Sequence, residues 1–112
     1  SCSGGGGGTT ATVLTNNVKV SGITLAKGAQ KLYSITVPAG KASLTIKLSG
    51  GTGDGDIYAK AGSAPTTTSY TKKSDGTTNT ETITFTSPAA GTHYILVNAY
   101  SAVSSTSIIA TY

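Results

Sequence analysis

Residues 31–48 read KLYSITVPAGKASLTIKL. Tyr33, Ile35 and Val37 alternate with Ser34 and Thr36, while Leu44, Ile46 and Leu48 alternate with Thr45 and Lys47. A period of two puts each apolar set on one face of a β-strand. Between the sets, Pro38-Ala39-Gly40 turns the chain: proline fixes one dihedral and glycine accepts positive φ.

The same texture continues outward. Val18-Lys19-Val20 is a brief alternation ending at Ser21-Gly22, and Gly50-Gly51-Thr52-Gly53 is a second turn. Ile57, Ala59 and Ala61 share a face, residues 62–70 read as a loop, and Lys72–Gly76 reads as a turn tipped by Asp-Gly. Ile83 and Phe85 alternate next. His93–Tyr100 and Thr106–Tyr112 read as two final strands, with Ile108, Ala110 and Tyr112 inward in the second. No window has a 3.6-residue apolar period. Short strands with regular turn signals predict an all-β fold, a β-sandwich or barrel, and one alternating face per strand is what two packed antiparallel sheets require. Residues 1–12 form a Gly-rich N-terminal tail and residues 13–112 the sandwich domain.

Composition narrows the function classes. Charged residues make up only 11% of the 112-residue chain, too few for a disordered segment. The net charge of +4 comes from lysines scattered along the sequence, with only Lys72-Lys73 adjacent. Nucleic-acid binding needs a clustered basic footprint, so it is set aside. No apolar run is long enough for a transmembrane helix, and the single cysteine excludes an internal disulfide.

Catalysis finds no constellation. His93, the one histidine, has no fixed cysteine partner because Cys2 lies in the tail, and no nucleophile-elbow motif is present. Gly50–Gly53 lacks the lysine and helix of a phosphate loop. Asp54 and Asp56 could offer oxygens to calcium, but only Asp75 and Glu81 remain as further carboxylates. Calcium takes six to eight oxygens, so the stretch reads first as a turn with Asp side chains bonded to local N–H groups.

The stretch HYILVNAY, residues 93–100, is apolar on both faces. Ile95, Val97 and Ala99 belong to the core. Tyr94, Leu96, Asn98 and Tyr100 are then expected on the outer face, where a free sandwich is polar. Two readings satisfy that pattern: a partner docks there, with Tyr70 contributing, or a loop around residues 62–71 covers the face.

Three stretches carry a resemblance: residues 31–70, residues 81–106 (ETITFTSPAAGTHYILVNAYSAVSST) and SIIATY at 107–112. Their order of Val-Pro-Ala-Gly, Gly-Asp-x-Asp-x-Tyr, Pro-Thr loop and Pro-x-x-Gly-Thr-x-Tyr resembles the bacterial pre-peptidase C-terminal domain. The likeness spans residues 17–112. It implies a secreted, non-catalytic jelly-roll-like module, usually appended to extracellular hydrolases and similar in fold to the collagen-binding domains of clostridial collagenases. Some of those bind calcium through N-terminal acidic residues and grip collagen with an aromatic sheet face. This chain departs at His93, where the family often has Trp, and at Asn98, where it often has an aromatic residue. Residues 1–30 also contain no acidic residue.

The tail completes the expectation. Cys2 precedes Gly4, Gly5, Gly6, Gly7 and Gly8. The cysteine suits a lipid anchor, an intermolecular disulfide or an inert thiol, and the glycines suit a connector clamped by a neighbouring subunit. A stand-alone module with this tail and a doubly apolar strand is expected to be a non-catalytic extracellular or cell-surface protein that self-associates, as a homo-oligomer or filament subunit. The alternative is an accessory module that binds collagen, another matrix protein or a polysaccharide.

Overall fold

The computed structural model describes residues 11–76 and 80–112; Cys2 and Gly4–Gly8 therefore lie outside the described residues. Eight strands follow in order: β1 (Thr12–Val13), β2 (Val20–Leu25), β3 (Gln30–Val37), β4 (Ser43–Ser49), β5 (Thr52–Ala61), β6 (Lys72–Ser74), β7 (Glu81–Thr86) and β8 (Gly91–Thr111). They form an all-β, jelly-roll-like sandwich. One layer runs β1-β3-β8-β5-β6. The other runs β2-β8-β4-β7. Every pairing is antiparallel except the two-residue β1–β3 contact, which is parallel.

The alternating residues meet between the layers. Tyr33, Ile35, Val37, Ile57, Ala59, Ile95 and Val97 face Leu44, Ile46, Leu48, Ile83, Phe85, Ile108 and Ala110 in one buried cluster. Burying these side chains from both sheets is the main drive for folding. Ala61, expected inward, is exposed at the end of β5, where the sandwich no longer covers it.

The two expected final strands are one. β8 runs for 21 residues and belongs to both layers. Its first part pairs with β3 and β5, and its last part with β2 and β4. No glycine or proline interrupts Ser101–Ser107, so nothing ends the strand. It changes sheets by bending: Ser105 has a φ of 57°, and the β5 register shifts on both sides of Asp54, as at a bulge.

That corner explains the glycines before it. A Cβ on Gly51 would lie 1.9 Å from the Ser104 carbonyl oxygen, and one on Gly53 would lie 1.9 Å from that of Ala102. The chain read as a turn at residues 50–53 is thus already on β8, and β5 begins at Thr52. Lys72–Ser74, also read within a turn, forms the short edge strand β6 against β5. The first alternation is displaced too: β2 starts at Val20, while Val18 is half exposed outside it.

Candidate functional site: the outer face of the β1-β3-β8-β5-β6 layer

Strand register determines what this face presents. Leu96 on β8 lies opposite Leu32 on β3 and Tyr58 on β5, and Tyr58 lies opposite Lys73 on β6. One step along, Asn98 lies between Gln30 and Asp56; one step the other way, Tyr94 lies between Ser34 and Lys60. The face thus has Lys60 towards one end, carboxylates towards the other, and an apolar row flanked by Lys73 between.

The expected exposure of Leu96 is corrected. Leu32, Tyr58 and Leu96 form a second buried cluster, with Ala11 and Tyr94 packed against it. Leu96 is buried because long neighbours stand directly opposite it on both flanking strands, and such cross-strand pairs bury one another. Tyr94 and Asn98 are half-buried, and Gln30 donates to Asn98 Oδ1 at 3.0 Å. Tyr100 remains 69% exposed.

The loop covers part of the face. Tyr70 stacks obliquely on Tyr58, with ring centroids 5.3 Å apart. The Thr71 N–H donates to the Ala59 carbonyl, and Lys60 Nζ donates to Ser69 Oγ. The loop therefore closes over Tyr58 and leaves Tyr100 open. Leu96→Ala is expected to lower stability by about 2–4 kcal/mol, as for other buried leucines. Tyr100→Ala should change it by less than about 0.5 kcal/mol. Urea melts of both variants check this, and equal midpoints would contradict the assigned burial.

The carboxylates are more concentrated than the sequence suggested. The chain has four acidic residues, and three of them act on the fourth, Asp56. Asp54 and Asp56 stand on β5, Asp75 just past β6, and Glu81 starts β7. Burial pushes the Asp56 carboxyl from 3.8 up to about 7; the charges of Asp54 and Glu81, a side-chain hydrogen bond with Asp54 and the charge of Asp75 push the same way. Glu81, itself buried, accepts from Ser74 Oγ and the Gly76 N–H. Asp75 pairs with Lys73 at 2.8 Å. Asp54, Asp56, Tyr58, Asp75, Gly76 and Tyr100 line an open cleft of about 350 Å³.

Sequence reasoning singled out Asp54 and Asp56 but left Asp75 and Glu81 apart from them. It also missed Leu32 and Tyr58 as members of this face, although their alternation with core residues was a usable signal. Among the described residues, no group of three or more His, Cys, Asp or Glu side chains is arranged to hold a metal ion. His93 is buried, with Nε2 2.9 Å from the Ala89 carbonyl oxygen and its ring edge-on to Phe85.

Comparison with known proteins gives this face a context. An extracellular protease of Xanthomonas campestris pv. campestris is 48% identical over 99 residues, covering 88% of this chain and 17% of that protease. The chain thus spans less than a fifth of that relative's length. Among solved structures, the solution structure of vEP C-ter 100 is 33% identical, with a TM-score of 0.68 over 91% of this chain and all of that one. The pre-peptidase C-terminal domain of a Bacillus anthracis collagenase has a TM-score of 0.70, covering 93% of this chain and 97% of that one, at 14% identity. The expectation of a self-associating filament subunit is overturned: the related segment is a small part of an extracellular protease, a context that favours the accessory-module alternative. The sequence profile of the bacterial pre-peptidase C-terminal domain matches residues 30–99, more than half of the chain, and the chain belongs to that family.

Proposed function

We propose that this chain is a non-catalytic, extracellular accessory module that holds protein substrate near a secreted protease through the outer face of the β1-β3-β8-β5-β6 layer. The observation that carries this reading is Tyr100: a large aromatic side chain left 69% exposed beside a preformed cleft. Tyrosine combines apolar area with a hydrogen-bonding tip and is favoured at interfaces. The extracellular protease context of the Xanthomonas relative supports a proteinaceous target outside the cell.

Co-sedimentation of the full chain with insoluble collagen, elastin and cellulose tests the reading. Retention on a protein matrix and not on cellulose is expected. Tyr100→Ala should weaken it at least about fivefold, the size of a modest interface anchor, without lowering the melting temperature. Passage through all three matrices, or retention on cellulose alone, would reject the proposal.

A further inference from the structure

We infer that the cleft formed by Asp54, Asp56, Asp75, Tyr58 and Tyr100 is a receptor for one cationic side chain, a lysine or arginine presented by a bound polypeptide. This deepens the accessory-module reading and rests on it for the source of the cation.

The first argument is charge. A chain with twice as many basic as acidic residues places three of its four acidic side chains around one cleft. Lys73 neutralises Asp75, and Ser74 and Gly76 satisfy one oxygen of Glu81. No ion pair to Asp54 or Asp56 occurs among the described residues. The arrangement leaves negative charge that an incoming cation would relieve.

The second argument is independent of the clustering. Asp56 is only 5% exposed and lines the cleft, and its Oδ1 is buried without a hydrogen-bond partner. Buried polar atoms in native folds nearly always have partners. An orphaned acceptor on a residue that lines an open cleft leaves a donor wanting there, and lysine and arginine supply charged donors.

The lining favours an organic cation over a metal ion. Tyr58 and Tyr100 border the carboxylates, and aromatic faces attract ammonium and guanidinium groups. An alkyl stem suits the exposed ring of Tyr100 at the cleft's edge. The described side chains have no arrangement suited to metal coordination. A volume of about 350 Å³ is at the small end of ligand sites, fitting one side chain.

Titration of the isotopically labelled full chain at pH 8 decides the matter. The probes are N-acetyl-arginine amide, N-acetyl-lysine amide, N-acetyl-norleucine amide and calcium chloride, followed by amide chemical shifts. The two cationic amides should perturb residues 54–58, 75–76 and 100 saturably, and the norleucine amide should not. A double Asp54→Asn, Asp56→Asn variant should bind them at least about tenfold more weakly, with its fold verified by an intact amide spectrum. No saturable shift, equal shifts from the norleucine amide, or a response to calcium alone would overturn the inference. Its failure is distinguishable from failure of the module reading. Retention on a protein matrix with no cation response preserves the module and removes the receptor; a cation response with no matrix retention does the reverse.

Discussion

Gly53→Ala should destabilise the fold by about 3–5 kcal/mol, near the upper end for a single substitution. Two costs add. Gly53 has a φ of +100°, a conformation that L side chains rarely adopt. A Cβ there would also sit 1.9 Å from the Ala102 carbonyl oxygen and 2.9 Å from the Val103 Cα. These are backbone atoms of the strand that belongs to both sheets, so relief of the clash requires β8 itself to move. Gly40→Ala is the control. Its φ is +80°, yet nothing lies within 4 Å of the added atom, so only the conformational cost of about 1–2 kcal/mol remains. Thermal melts should put Gly53→Ala at least about 10 °C below the wild type for a domain of this size, with Gly40→Ala much closer to it. Coincident melts for the two variants would show that the β5–β8 crossing yields easily.

The difference between these glycines marks what the sequence could convey. Gly40 follows a proline between two alternating runs, and local chemistry suffices to read it as a turn. Gly51 and Gly53 also look like turn residues. What requires them is the backbone of Ser104 and Ala102, about fifty positions away. Local alternation likewise placed Tyr33, Ile35, Leu44, Ile46, Ile83, Ile95 and Ile108 in the core, because a half-buried strand has a period of two whatever its partners are. It could not show that residues 91–111 form one strand. The join depends on β2 and β4 taking over pairing where β3 and β5 leave off.

The site was less legible than the core for the same reason. Asp54 and Asp56 are neighbours in sequence, but Asp75 and Glu81 reach them through β5–β6 pairing and the packing of β7 against β5 and β6. Leu96 was misplaced because exposure on an outer face depends on cross-strand neighbours. Leu32 and Tyr58 flank it, whereas Tyr100, on the same face four residues later, lies next to the open cleft. Strand periodicity assigns a face; register determines whether that face is wet.

The carboxylate cluster should make the free protein less stable as pH rises. Asp56 keeps its proton in the folded chain up to about pH 7, whereas its ordinary value is 3.8. Between those two values the folded state binds the extra proton, so stability declines with increasing pH. Below pH 4 both states are protonated and the loss is absent; above pH 7 it is complete. A shift of this size corresponds to at most about 4 kcal/mol across the window. Urea midpoints measured from pH 4 to pH 8 should therefore fall. The groups that set the slope are Asp54, Glu81 and Asp75, with burial as the largest cause; Lys73, already paired with Asp75, cannot serve Asp56 at the same time. Asp54→Asn should reduce the slope without abolishing it, because it leaves burial in place. Asp56→Asn should remove this decline and be more stable than the wild type at pH 8 by about 2–4 kcal/mol. A wild-type midpoint that stays flat or rises from pH 5 to pH 8 would show that Asp56 ionises freely. A falling midpoint would mean that the fold tolerates a buried, unneutralised carboxylate pair at a cost in stability. Such local frustration is common where a protein is shaped for a ligand, and a cation bound in the cleft should restore the lost stability at pH 8.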